Sequence, residues 1–488
     1  MEDLRVWEKR CEALLVHIGK LKKHQTLKDG PRSQTITTLL QNLELFGAAH
    51  FNFFYSEFTK DAATTVLADE TKAFPKAAVL RWIIDQISYD LEVITRAWEQ
   101  RRPNTIYLDA LANADKLGQL ALQPAMDSGF IPADTAVLTY FQKSYTVRLI
   151  PYAKVALIGV PMTALTVPRD YLAIPHEVAH YLFRHGTFTP RTGQQPARQS
   201  ISLFLKRELK KILNQETQYM QSWVEEMFAD MYGCLIAGPV IAIDFQDLQL
   251  DDPLEQFADA RIDAEDPVPF LRPDTYTKTL NFSHKPHWKN RALPLLKRWQ
   301  TYRKTYWDNY VANYKQEFRA GTNFAQAAYL AKQSSRVVAD EIRADMVNLD
   351  TTKKFDKIIE MIWKNVISIL AEYTAQDQFA WSGSADQLNS VKNEADTENL
   401  YTFFSQALAQ LPTHVVELND ATPFMPPIPE TNIWEDWMEK FEKRNLWQPW
   451  NRKTNKPARK DHQLEPGREY GWYELAYADG WVTRGPEP

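Results

Sequence analysis

The run LRWIIDQISYDLEVITRAW, Leu80 to Trp98, sets its apolar residues three and four apart. Only an α-helix gathers that spacing onto one buried stripe. The same pattern holds from about residue 35 to 125 and returns from Leu293 to about Leu411. SLFLKRELKKIL and QSWVEEMFADMYGCLIAG continue it in between, the second ending at Gly238-Pro239. Only 16 glycines occur in 488 residues, which fits a mainly helical protein with few tight hairpins. One stretch breaks the pattern. YTVRLIPYAKVALIGV, Tyr145 to Val160, is rich in β-branched residues and split by Pro151, and predicts one or two strands. Thr187 to Ser200 reads as a polar loop, and the acidic, proline-rich Asp251 to Asp274 as irregular chain with a helical turn or two. The expected class is therefore mainly α, of α+β type. Its parts are an N-terminal helical region (1–140), a core with a small sheet (141–300), a C-terminal helical region (301–415) and a tail (416–488).

That tail opens on ATPFMPPIPE and carries Trp434, Trp437, Trp447, Trp450, Trp472 and Trp481. Aromatics beside Lys and Arg, as in WQPWNRKTNKPARK, stack on bases in some proteins. The reading preferred here is a tail strapped across the body by aromatic anchors. A net charge of −5 gives no general attraction for nucleic acid or anionic lipid. Cys11 and Cys234, far apart in sequence, argue against a disulfide scaffold and suit a reducing compartment. Charges interrupt MEDLRVWEKRCEALL, so it lacks a signal-peptide core. VALIGVPMTALTV and CLIAGPVIAI are broken by proline and fall short of a membrane span. A cytoplasmic protein is expected.

The chemistry concentrates in IPHEVAHYLFRHG, Ile174 to Gly186. On a helix, His176 and His180 stand one turn plus about 40° apart and reach one ion together. Glu177, about 100° from His176, is placed to touch a water at that ion rather than to bind the ion. This is the division of labour in a His-Glu-x-x-His zinc hydrolase: two neutral imidazoles hold Zn²⁺, and the carboxylate is the general base for metal-activated water. Pro175 suits a first helical position, or a kink if the helix starts near Asp170, and Gly186 suits the stop. His185 lies about 140° from His180 and points away. It is expected near the helix C-terminus, where partial positive charge meets the dipole favourably. Phe183 and Gly186 exclude the metzincin pattern. An ordinary amphipathic helix with solvated histidines is the plain alternative.

A catalytic zinc takes a third protein ligand. In WVEEMFADMYGCLIAG, residues Glu226, Asp230, Gly233 and Ala237 fall on one helical face. Glu226 is the expected ligand. Asp230 is expected to accept a hydrogen bond from the far nitrogen of a ligating histidine. The two small residues would let this helix press on the histidine helix, Gly233 at a helix-propensity cost of about 1 kcal/mol. Glu225, about 100° off that face, is expected at the surface. A solvated charged stripe is the alternative, opposed by Trp223, Met227, Phe228, Met231 and Leu235 around the two acids.

His-Glu-x-x-His followed by Glu-x-x-x-Asp resembles the gluzincin metallopeptidases. EEMFADMYGCLIAG is similar to the second-helix motif of the HtpX and CAAX-processing family and to the matching helix of ImmA/IrrE-type peptidases. The resemblance covers about residues 145–296 and implies a zincin-like core with Zn²⁺ held by His176, His180 and Glu226. SHKPHWKNR, Ser283 to Arg291, stands where the HtpX-like group has a His-Pro element followed by arginine, but with an inserted lysine and a second histidine. By that likeness His284 or His287 would donate to the oxyanion of the tetrahedral intermediate, and Arg291 would hold that intermediate or the Glu226 helix. The strand KVALIGVP would be an edge strand pairing with an extended peptide; a buried core strand is the alternative. The implied function is zinc-dependent hydrolysis of peptide bonds in a protein substrate. Two other readings stand beside it: a non-proteolytic interaction protein on the same scaffold, and a metal-dependent hydrolase of a non-peptide amide.

Overall fold

The computed structural model describes residues 4–24, 30–60, 76–150, 152–191, 198–213, 220–221, 223–250, 267, 271–319, 349–374, 379–412, 415–419, 450–451 and 456–457. These residues are mainly helical, with a small sheet. The chain divides into two compact units, each assembled from separated segments.

The first unit takes in Met1–Asp115, Asp134–Gly159 and Val415–Pro488. Helices α1 (Arg5–Lys22), α2 (Ser33–Thr59) and α3 (Lys76–Glu99) supply most of its core, and α4 (Leu108–Asp127) begins in it. The apolar stripe foreseen on α3 is buried as its spacing requires, through Leu80, Ile83, Ile87, Leu91, Ile94 and Trp98. It shares one core with Phe51, Phe54 and Phe58 of α2, and each such side chain contributes about 1.5–3 kcal/mol on full burial. Strands β1 (Ala136–Gln142), β2 (Thr146–Arg148) and β3 (Val155–Pro161) form a sheet ordered β1-β3-β2. Two strands do lie within 145–160, on either side of Pro151, and β2 runs antiparallel to β3 with Val147 opposite Ile158. Both hydrogen-bonding edges of β3 are occupied, so it is the buried core strand and not an edge open to a peptide. Charges in this unit are buried in pairs, as low polarity demands. Arg101 donates to both oxygens of Asp115 at 2.8 Å, and Arg148 Nε to Asp90 at 2.7 Å.

The second unit takes in Lys116–Ala133 and Val160–His414. Two 3₁₀ turns, Met162–Leu165 and Pro168–Ala173, lead into α5 (Ile174–His185). Pro175 sits in the first turn of α5, where its missing N–H costs nothing. Gly186 ends that helix with extended backbone, and a Cβ there would come within 2.4 Å of the Leu182 carbonyl oxygen. The ends of the expected loop pair as β4 (Thr187–Phe188) and β5 (Gln199–Ser200). Helices α6 (Ile201–Leu209), α7 (Trp223–Ala237), α8 (Pro239–Leu250), α9 (Arg272–Phe282), α10 (Pro286–Arg319) and α11 (Leu349–Ile362) follow. Gly238, at φ +73°, lets the chain turn between α7 and Pro239 of α8. A boundary at 300 would fall inside α10, and β1, which crosses the expected boundary at 140, groups with the N-terminal helices.

No described helix is long and apolar enough to cross a membrane. Most of Asp251–Asp274 lies outside the described residues, as do Trp434, Trp437, Trp447, Trp472 and Trp481 of the tail.

Candidate metal centre

Helices α5 and α7 pack along their length because one side of α7 is small. A Cβ on Gly233 would lie 3.6 Å from the His176 backbone nitrogen. Beyond it, Phe183 of α5 meets Phe228 of α7 with ring centroids 5.5 Å apart. This approach brings the imidazoles of α5 against the carboxylates of α7.

His176 Nε2 lies 3.1 Å from His180 Nε2. Glu226 closes the triangle, with Oε2 at 3.4 Å from His176 Nε2 and Oε1 at 3.5 Å from His180 Nε2. The three residues are the group of described side chains able to hold one metal ion. A tetrahedral zinc with bonds of about 2.0–2.1 Å requires donor–donor edges of about 3.3 Å. The separation of the two ring nitrogens and the nearest Glu226 contact of each ring fall on either side of that value, the rings being met by different oxygens of Glu226.

The far side of each ring fixes what the near side offers. His176 Nδ1 lies 3.0 Å from Asp230 Oδ1, off the line of a straight hydrogen bond, and His180 Nδ1 lies 3.2 Å from Glu225 Oε1. An ionised carboxylate only accepts, so each Nδ1 is assigned the proton, and in the neutral ring Nε2 then carries a lone pair. Two such lone pairs and a carboxylate therefore face one another. Each outer carboxylate is in turn held by a guanidinium. Arg272, at the start of α9, donates through Nε and Nη2 to Asp230 at 2.7 and 3.0 Å, and through Nη2 to Glu226 at 3.2 Å. Arg184 donates through Nε to Glu225 at 2.8 Å and through Nη2 to its other oxygen.

The electrostatics agree with the geometry. Four carboxylates (Glu177, Glu225, Glu226, Asp230) share this half-buried to buried cluster with two guanidinium groups, which leaves two negative charges when the imidazoles are neutral. Burial alone would lower the pKa of His176, but Asp230 and Glu226 outweigh it and raise it to about 10. His180 is raised likewise, by Glu226 and Glu225 against burial. Burial opposes ionisation of Glu226 and Asp230, yet their partners hold both below the usual carboxylate range: His180, His176 and Arg272 for Glu226, and chiefly Arg272 for Asp230. The site thus attracts positive charge, as protons or as a divalent ion. The donor set of two imidazoles and a carboxylate suits zinc.

Glu177 is buried at 8% exposure, and burial raises its pKa. Among the described residues its carboxylate has no hydrogen-bond partner. Phe245 of α8 closes one wall, edge-on to the His176 ring at 5.3 Å.

Several sequence expectations need correction. Glu225 is not a surface residue: its side chain is 19% exposed and engages His180 and Arg184. His185 carries no partial positive charge to the helix end. It is half-buried at the end of α5 and stacked on Tyr181, and desolvation with Arg184 beside it pushes its pKa down to about 3. His284 and His287 line a separate groove of about 220 Å³ with Leu235, Ser283 and Thr374, and are not among the polar partners of His176, His180 or Glu226. Arg291 is buried on α10 and its Nε and Nη1 pair with no described residue; the grip on Glu226 belongs to Arg272. An arginine at a helix N-terminus opposes the dipole, so the Arg272-Pro273-Asp274 start was a legible hint of a carboxylate partner. No protein-family model, curated protein or solved structure matches this chain.

Proposed function

We propose that this chain is a zinc-dependent peptidase of gluzincin type, with a zincin-like core around α5 and α7. The observation that carries the reading is the gathering of His176 Nε2, His180 Nε2 and the two oxygens of Glu226, with contacts of 3.1 to 3.5 Å, while the opposite nitrogens are turned to carboxylates. Two imidazole nitrogens and a carboxylate gathered in a buried setting call for positive charge, supplied by protons on the rings or by a cation among them. Zinc, when bound, lowers the pKa of a water toward 7 and polarises a carbonyl. Glu177 would act as the general base there, its carboxylate taking a proton from the attacking water and giving it to the departing amine nitrogen. Burial fits it for this, because raising the pKa of a carboxylate makes it a better proton acceptor than an exposed one. Asp230 keeps the proton of His176 on Nδ1, and Arg272 keeps Asp230 and Glu226 ionised.

A peptide as substrate rests on the His-Glu-x-x-His and Glu-x-x-x-Asp pattern. β3, which is central in its sheet, offers no edge for a peptide. A scaffold with purely structural metal is the weaker reading, because such a site has no use for Glu177. The test is metal analysis of the purified protein, joined to a proteome comparison of cells carrying wild type or Glu177→Gln. The expected result is about one zinc per chain in both forms, and one or a few proteins left uncut with the variant. Protein without stoichiometric metal would end the reading.

A further inference from the structure

We infer that Glu225 and Arg184 form a second positioning pair that holds His180 as a metal ligand, matching the hold of Asp230 and Arg272 on His176. This rests on the zinc reading above and adds two residues to it. His180 Nδ1 meets Glu225 Oε1 at 3.2 Å, and Glu225 is gripped at both oxygens by Arg184, whose side chain is 6% exposed. The order imidazole, carboxylate, guanidinium repeats at His176, where Asp230 is fully buried and doubly bonded by Arg272. The spacing explains both. Arg184 stands four residues after His180 on α5, hence on the same side of the helix. Glu225 and Glu226 are neighbours on α7, and both face side chains of α5. Glu226 thereby reaches the near nitrogens of both rings, while Glu225 reaches the outer nitrogen of His180.

The chemistry follows from acceptors and donors. A carboxylate at Nδ1 fixes the proton there, selects the tautomer with its lone pair at Nε2, and stops the ring from turning about χ2. The guanidinium grips the carboxylate at both oxygens and so keeps it turned to the ring. Glu225 and Arg184 would touch neither substrate nor the reacting atoms; they act through His180.

The experiment compares wild type, Glu225→Gln, Glu225→Asp and Arg184→Met for zinc affinity, by competition with a chromophoric chelator, and for the visible spectrum after loading with cobalt(II). Thermal unfolding of the metal-free forms runs alongside. Losing an outer-shell partner of this kind weakens metal binding about 10- to 100-fold. Glu225→Gln and Arg184→Met are therefore expected to lose zinc affinity by that factor and to shift the cobalt bands, with Glu225→Asp recovering part of both. Wild-type affinity and an unchanged spectrum in Glu225→Gln would overturn the inference while leaving the zinc reading intact. Wild-type protein that takes up neither ion would overturn the reading itself. If Glu225→Gln does not fold, Glu225→Asp and Arg184→Met decide: wild-type affinity and spectrum in both overturn the inference.

Discussion

His176 Nε2 and His180 Nε2 stand 3.1 Å apart across one turn of α5, each with its other ring nitrogen turned to a different carboxylate of α7. Neither ring can turn away from the other without leaving its carboxylate, so the pair is fixed as the proposed metal site requires. The relationship governs the outcomes expected below.

Replacing Glu177 by Gln removes the proton acceptor but leaves the three donors in place. Zinc content should equal wild type while hydrolysis of the cognate substrate falls by at least 100-fold, the lower end of what positioned acid–base groups contribute. Undiminished turnover would rule out Glu177 as the base.

Removing Glu226 takes away a donor shared by both histidines. Glu226→Ala should lose zinc far more completely than Glu225→Gln, since the first deletes a ligand and the second only loosens one. Atomic absorption after dialysis against a weak chelator measures the difference, and equal retention would place the third ligand elsewhere.

Arg272 is the shared counter-charge of Asp230 and Glu226. Its loss leaves the fully buried Asp230 carboxylate with His176 but without its guanidinium, and breaking a buried pair from one side costs up to about 3–5 kcal/mol. Arg272→Ala should lower the denaturation midpoint of the metal-free protein by a corresponding amount. A midpoint unchanged from wild type would contradict this view of the cluster.

The field that raises His176 to about 10 keeps that ring protonated in the metal-free protein at pH 7. Metal uptake must expel the proton, so titration calorimetry with zinc in buffers of differing ionisation enthalpy should report release of about one proton or more. The same shift makes its contribution to metal-free stability largest below the unfolded value near 6.5. That contribution fades as pH rises towards 10. Zinc uptake without proton release would contradict the assignment.

Gly233 faces the His176 backbone, and a Cβ there meets only the movable Cδ1 of Ile241 at 2.9 Å. Gly233→Ala should fall within about 1 kcal/mol of wild type, since gained helix propensity offsets the contact. Gly233→Val adds branches towards α5 and should destabilise by about 1–3 kcal/mol. Equal stability of the two variants would mean that the helices are free to part.

Helical periodicity carried much of this by itself. The spacing of His176, Glu177 and His180 determines which side chains share a face, and so does the spacing of Glu226 and Asp230, because 3.6 residues per turn is a local property of the backbone. The apolar stripe of α3 and the strand character of residues 145–160 followed from local pattern for the same reason. β1 went unforeseen, since a short strand buried on both sides, AVLTYFQ, lacks the alternation that would betray it. What faces what was decided only by tertiary packing. Glu225 lies about 100° from the Glu226 stripe, yet it reaches His180 because small Gly233 lets α7 lie close enough to α5 for both flanks of the stripe to engage. Arg272 arrives from a third helix, more than forty residues along the chain, and the His185 pKa is lowered by desolvation and by Arg184 beside it. Periodicity is written in consecutive residues. The partner of a buried charge depends on distances between helices, which no local spacing encodes.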